Sequence, residues 1–128
     1  MKFLSILITL TILGSANLFA WTATIHGPEN PVKGEKYDYK VTYTSDRFNK
    51  DKELEKVDYH WVIVGKAIAD KKIAKDNPIA SVTMANPEYM EDNYDIWPNG
   101  HVICIVTLYF KDGTKESRSD SIQLKLVP

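Results

Sequence analysis

The chain has 128 residues, a formal net charge of −1 at pH 7 and a single cysteine, Cys104. A near-neutral chain without a basic stripe is a poor partner for nucleic acid or for an anionic membrane surface. One cysteine excludes an internal disulfide, so the folded state depends on its hydrophobic core.

The first twenty residues have the pattern of a secretory signal. One lysine precedes an apolar run from Phe3 to Leu13, and the segments Gly14-Ser15-Ala16 and Leu18-Phe19-Ala20 each end in a small residue suited to cleavage. We expect a signal peptide over residues 1–20, cleaved after Ala20 in preference to Ala16, and a secreted or periplasmic domain that begins at Trp21. The alternative is an uncleaved membrane anchor, because the stretch from Phe3 to Ala20, at 18 residues, reaches the lower limit for a membrane span.

Alternating apolar and polar residues predict β-strands along most of the remaining chain. The strongest pattern lies between the Pro98-Asn99-Gly100 turn and the Lys111-Asp112-Gly113 turn, and it indicates a central strand. One face of this strand, which we expect in the core, carries Val102, Cys104, Val106, Leu108 and Phe110. The other predicted strands cover Trp21–His26, Lys36–Tyr43, Val57–Val64, Ile79–Ala85 and Glu116–Val127.

Two segments leave alternatives open. The charged stretch Ser45–Lys56 is typical of a long loop, or of a loop with a short helical turn over Asp51–Lys56. The Ala- and Lys-rich stretch Lys66–Asp76 permits a short helix, but a short strand with a hairpin through Asp70-Lys71-Lys72 fits the surrounding pattern better. Six or seven short strands separated by turn signals predict an antiparallel, immunoglobulin-like β-sandwich over residues 21–128.

One set of motifs consists of the turn and strand of Ile96–Leu108, the Asp112-Gly113 hairpin, the final strand Ile122–Val127, the Tyr59-His60-Trp61 strand and the opening Ile25-His26-Gly27-Pro28. Together these motifs resemble the polycystin-repeat (PKD-like) family of immunoglobulin-like domains. The resemblance implies a sandwich with the strand tryptophan in its core. It also implies an extracellular adhesion or spacer module, a class in which catalysis is rare.

The residues that could carry chemistry do not form a known constellation. His26, His60 and His101 lack metal-ligand spacing, and the odd spacing of His101 and Cys104 places them on opposite faces of one strand. The acids Glu88, Glu91, Asp92 and Asp95 lack the calcium-loop pattern and are expected to face solvent. Since no Gly-x-Ser-x-Gly elbow is present, we expect no catalytic, cofactor-binding or metal-binding residues.

Cys104 has two interpretations. It could be a reactive thiol or form an intermolecular bridge. Its position between Val102 and Val106 favours a small buried apolar side chain instead.

Some strand positions that are expected to face solvent carry apolar residues, which indicates a possible interaction face. It consists of Val62, Val64, Ile103, Ile105 and Tyr109, which alternate with the core positions of two strands. These two strands are neighbours in an immunoglobulin-like sandwich, so the five residues could form one exposed patch. The alternative is that Lys66–Asp76 or the long charged loop covers them.

The sequence therefore favours a secreted, non-catalytic binding or adhesion module. Its partner would be an extracellular or periplasmic protein or glycan, and a homodimer is possible. The alternative is a secreted inhibitor of a hydrolase such as a peptidase, which would use the loops Pro28–Gly34, Lys66–Pro78 and Glu88–Gly100 at one end of the sandwich. An enzyme or metal carrier ranks last.

Overall fold

The computed structural model describes residues 21–44 and 53–128. These residues form seven strands: β1 (Ala23–His26), β2 (Lys36–Tyr43), β3 (Leu54–Val64), β4 (Ile68–Ile73), β5 (Ile79–Met84), β6 (Asn99–Phe110) and β7 (Lys115–Lys125). The predicted signal peptide, and most of the charged stretch expected between β2 and β3, lie outside the described residues. Within the described ranges, no helix is long and apolar enough to cross a membrane.

The strands form two sheets, in the orders β1-β2-β5-β4 and β3-β6-β7. All paired strands are antiparallel, and one isolated parallel bridge joins Val32 to Val127. If the strands are lettered A to G in chain order, the sheets read A-B-E-D and C-F-G, which is the arrangement of a constant-type immunoglobulin domain. The predicted antiparallel, immunoglobulin-like sandwich of about seven strands is confirmed.

Strand β6 is the centre of the three-stranded sheet, as its sequence predicts. It pairs along its length with β3 on one side and β7 on the other. Its inward side chains, Val102, Cys104, Val106, Leu108 and Phe110, are at most 1% exposed. These positions differ by two because successive strand side chains point to opposite faces, so one face of β6 supplies a continuous row of the core.

Two aromatic residues of the core, Tyr39 and Trp61, donate hydrogen bonds to backbone carbonyls. Tyr39 is fully buried, and its hydroxyl donates to Pro28 O over 2.7 Å. The indole Nε1 of Trp61 donates to Asn77 O over 2.9 Å. Each bond removes the cost of burying an unpaired donor, and Trp61 lies in the core as the motif resemblance implies.

The segment Lys66–Asp76 contains strand β4, so the strand interpretation is confirmed and the helix is wrong. The expected hairpin through Asp70-Lys71-Lys72 is also wrong, because these residues pair with Thr83, Val82 and Ser81 of β5. The turn comes later, at Lys75-Asp76, where Asp76 has a φ of 52°. An edge strand tolerates charged side chains, and lysines there discourage pairing with other chains.

The start of β3 also differs from the sequence-based expectation. Leu54, Glu55 and Lys56 belong to the strand, so the helical turn expected over Asp51–Lys56 is wrong for these three residues. The partners of β3 on β6 extend to Phe110, which pairs with Leu54. Pairing with β6 therefore keeps residues 54–56 of β3 extended, although the clear alternation of apolar and polar residues begins only at Val57.

The loops divide between the two ends of the sandwich. At one end, here called the 85–98 end, three connections are joined by backbone hydrogen bonds: Gly34 N to Ala85 O, Ala85 N to Ala67 O, and Ala67 N to Asn99 O. At the opposite end, Lys111 N donates to Glu53 O and Thr44 N donates to Thr22 O. This second end also contains or adjoins the residues that border the stretches outside the described ranges, namely Trp21, Thr44 and Glu53.

Candidate interaction surface

The five residues of the predicted interaction face lie on the outer face of the three-stranded sheet. The register places Val62 directly opposite Ile103, Val64 opposite His101, and Ile105 opposite His60. Val64 is 50% exposed, and Val62, Ile103, Ile105 and Tyr109 are partly exposed. Four of the residues are thus immediate or diagonal neighbours, and we call Val62, Val64, Ile103 and Ile105 the apolar quartet.

Tyr109 lies apart from the apolar quartet on the same face. It is four residues beyond Ile105 on β6, a separation of roughly 13 Å along a strand, and Thr107 lies between them. Lys56 Nζ is 4.8 Å from the centre of the Tyr109 ring, and Lys115 Nζ is 6.0 Å from it. A hydrogen bond with Asp58 and partial burial raise the pKa of the Tyr109 hydroxyl. Tyr109 therefore belongs to a charged row, distinct from the apolar one.

Strand β7 adds a row of serines that the sequence reasoning did not include. Ser117, Ser119 and Ser121 are paired with Thr107, Ile105 and Ile103. The hydroxyls of Thr107 and Ser117 are 2.8 Å apart. The alternating serines of β7 were a usable signal, because their spacing of two places them on a single face.

The segment that could have covered this face lies elsewhere. Strand β4 pairs with β5 in the other sheet, and Lys71 Nζ reaches the edge of β3 by donating to Ile63 O over 2.7 Å. The described part of the charged stretch, Leu54–Lys56, is strand rather than cover. Residues 45–52, the rest of that alternative, lie outside the described residues.

Cys104 is fully buried on the inner face of β6. Burial raises the pKa of its thiol to about 12, well above the value near 8.5 of an exposed cysteine. Because the thiolate is the reactive species, the folded protein presents neither a reactive thiol nor a partner for a bridge to a second chain. The interpretation as a core side chain is supported by this geometry.

We therefore expect a maleimide to label Cys104 only when the protein opens. At pH 9, where an exposed thiol is largely ionised, the native protein should react at least about a thousandfold more slowly than the urea-unfolded protein. The native protein reacts more slowly because the raised pKa keeps the thiol of the folded state protonated up to about pH 12. Rapid labelling without denaturant, or a dimer lost with reductant, would contradict this placement.

The histidines and the acidic loop residues are dispersed. His26 lies on the four-stranded sheet, where its Nε2 is 2.9 Å from the Thr42 hydroxyl, whereas His60 and His101 lie on the outer face of the other sheet. His101 is exposed and Cys104 is buried, on opposite faces as their spacing predicts. Among the described residues, no three His, Cys, Asp or Glu side chains are grouped so that they could hold a metal ion.

The three loops of the predicted inhibitor do not all meet at one end. The loops Pro28–Gly34 and Glu88–Gly100 lie together at the 85–98 end. Lys66–Pro78 is divided by β4, so that residues 65–67 lie at this end and the turn at residues 74–78 lies at the opposite end. A wedge built from all three loops is therefore wrong, and only part of the third loop could contribute.

No protein-family model and no curated protein sequence matches the chain. The resemblance to polycystin-repeat domains therefore depends on the quoted motifs alone. A cohesin module from the family 33 glycoside hydrolase of Clostridium perfringens ATCC13124 is a solved structure to which this chain is similar, with 11% identity and a TM-score of 0.41. The match covers 84% of this chain and 97% of the cohesin module.

Proposed function

We propose that residues 21–128 form an exported, non-catalytic binding module that contacts a protein partner through the outer face of the β3-β6-β7 sheet. The observation that carries this proposal is the apolar quartet, in which Val62 and Ile103 are paired at the centre. A sheet face in contact with water normally carries polar side chains that alternate with the core residues. Four β-branched apolar residues at adjacent outward positions depart from that rule.

The other sheet of the same sandwich provides an internal comparison. Its outward positions on β2 are Lys36, Asp38, Lys40 and Thr42, and all four are exposed. On β1 the outward positions are Thr24 and His26. On β5 the outward positions are Ile79, Ser81 and Thr83, of which only Ile79 is apolar. Because both sheets experience the same solvent, the cluster of adjacent apolar outward positions on β3 and β6 distinguishes that face.

The surroundings of the apolar quartet have the composition of an interface rim. The serines of β7 border it on one side, and the charged row of Lys56, Tyr109 and Lys115 lies at one end. Interfaces commonly combine an apolar centre without charges and a polar, solvated edge. The flat surface of three strands suits a folded protein, including a second copy of this chain, better than it suits a small molecule, which prefers a concave site.

The hydrolase inhibitor is the second candidate. The loop Glu88–Gly100 supports it, since this loop is exposed and carries aromatic residues. The division of Lys66–Pro78 between the two ends weighs against it. The geometry therefore supports the sheet-face module better.

The double substitution Val62→Lys/Ile103→Lys should strongly weaken association through this face. Two buried lysines at the centre of an interface would weaken binding by at least about tenfold, because truncating or charging a central contact commonly costs more than 1 kcal/mol. Sedimentation velocity of the exported protein measures self-association, and affinity capture from the extracytoplasmic fraction of its own cells, followed by a binding titration, measures other partners.

Thr24→Lys/Thr83→Lys, on the outer face of the other sheet, is the matched control and should bind like the native protein. Val62→Thr/Ile103→Thr keeps β-branching and tests whether any loss reflects misfolding, which thermal unfolding also monitors. A folded Val62→Lys/Ile103→Lys variant that associates as tightly as the native protein would overturn the proposed face.

A further inference from the structure

The loop between β5 and β6 carries an unusual concentration of exposed apolar side chains. Of the four most exposed large apolar residues in the described ranges, three lie in this loop: Tyr89 at 75%, Ile96 at 55% and Tyr94 at 48%. The fourth is Val64, on the sheet face. Single exposed apolar residues are ordinary, but a contiguous group in one short loop needs a physical explanation.

The exposure occurs on a loop that is held in place. The side chain of Asn93 caps the short 3₁₀ turn Tyr94–Ile96 by accepting a hydrogen bond from Asp95 N over 2.9 Å. The Trp97 indole donates to Glu91 O across the loop. The rings of Tyr94 and Trp97 meet edge to face with centres 5.1 Å apart.

The loop is also anchored to the rest of the sandwich. Leu126 N donates to Pro98 O over 2.8 Å, and Asn30 Nδ2 donates to the Tyr94 hydroxyl over 3.2 Å. These contacts order the backbone before any partner arrives. A preorganised loop loses less conformational entropy on binding, so its exposed side chains are suited to recognition.

Two hollows flank the Tyr94–Trp97 pair. One has a volume of about 190 Å³ and is lined by Pro87, Met90, Ile96 and Trp97, among others. The other has a volume of about 250 Å³ and is lined by Glu29, Asn30, Tyr94 and Gln123, among others. The first hollow is lined mainly by apolar and aromatic side chains, with Glu91 as its one charged residue, and it can take one apolar side chain. The second hollow is lined mainly by polar and charged side chains.

The charge of the loop is of one sign. Residues 86–98 contain Glu88, Glu91, Asp92 and Asp95 and no lysine, arginine or histidine. In the described part of the chain, none of these four carboxylates has an ion pair. Lys33 and Lys125, the cations that contact the loop, donate to the backbone carbonyls of Pro87 and Asp95 rather than to a carboxylate.

We propose that residues 87–97 are a docking site for a protein partner that presents an apolar side chain flanked by lysine or arginine. The apolar side chain would enter the hollow lined by Met90 and Ile96. The cations would pair with Glu88 and Asp92 and contact the face of the exposed Tyr89 ring. This inference is independent of the sheet face, because it depends on a different surface at one end of the sandwich.

The test is a selection of random linear peptides, displayed on phage, against the immobilised protein. We expect the selected peptides to be rich in Lys and Arg around an apolar residue. Their binding should weaken steeply as salt is raised from roughly 50 to 500 mM, because the charged contacts are solvent-exposed. Tyr89→Ser/Ile96→Ser and Glu88→Gln/Asp92→Asn should each weaken binding of a selected synthetic peptide by about tenfold or more.

Tyr89 and Ile96 are highly exposed, so these variants should retain the native unfolding temperature. Thr24→Lys/Thr83→Lys and Val62→Lys/Ile103→Lys should bind the peptides as the native protein does. Absence of enrichment, enrichment of acidic or uncharged peptides, or unchanged binding to the two loop variants would overturn the inference. Peptides that lose binding only with Val62→Lys/Ile103→Lys would also overturn it, while leaving the proposed sheet-face function intact.

Discussion

Leu108→Ala is expected to lower the free energy of unfolding by about 2–5 kcal/mol, a large part of the total stability of a small domain. Leu108 is fully buried near the C-terminal end of the central strand. Its pairing with Val57 and Glu116 holds it between the two neighbouring strands. Alanine would remove the apolar contacts and leave a cavity. The close-packed neighbours on a doubly paired strand cannot easily move to fill it.

Urea denaturation followed by tryptophan fluorescence measures the change. Thr107→Ala is the matched control, because it lies next to Leu108 on the same strand but on the outer face. It loses a contact with the Ser117 hydroxyl and should cost no more than about 1 kcal/mol. Equal costs for the two substitutions would contradict the assignment of inner and outer faces on β6.

Gly65→Ala is expected to cost about 3–5 kcal/mol, since a strained backbone and a backbone clash add together. Gly65 follows β3 with a φ of +123°, a conformation that residues with a Cβ rarely adopt. An added Cβ would lie 2.3 Å from Gly100 Cα and 2.6 Å from Asn99 O. Both atoms belong to the backbone at the start of β6, where Asn99 O also accepts a hydrogen bond from Ala67 N, so relief of the clash would disturb the central strand.

Gly113→Ala separates the two contributions. Gly113 also has a positive φ, +90°, but an added Cβ there would meet nothing within 4 Å. Gly113→Ala should therefore lower the free energy of unfolding only by the backbone strain, about 1–3 kcal/mol. Thermal unfolding of both variants measures the difference between them. If the two alanine variants were equally stable, the close approach of residues 65 and 100 would be wrong.

The sequence by itself determined which residues face the core. On β6, an apolar residue at every second position identified the buried row from Val102 to Phe110, because a strand has a side-chain period of two. The same period identified the outward positions Val62, Ile103 and Ile105. Local sequence was also sufficient to predict the Asp112-Gly113 hairpin, in which the Asp112 carboxylate accepts a hydrogen bond from Thr114 N.

The pairing of β3 with β6 followed from the predicted fold class, but only the tertiary structure decided where β4 pairs and what lies over each surface. The sequence of Lys66–Asp76 could not show that β4 pairs with β5 rather than covering the interaction face, because pairing depends on residues distant in the chain. Nor could it show that Tyr109 joins Lys56 and Lys115 instead of the apolar quartet, since that depends on the register across three strands. A period of two specifies a face, whereas the order of strands and the grouping of loops at each end result from packing two sheets together.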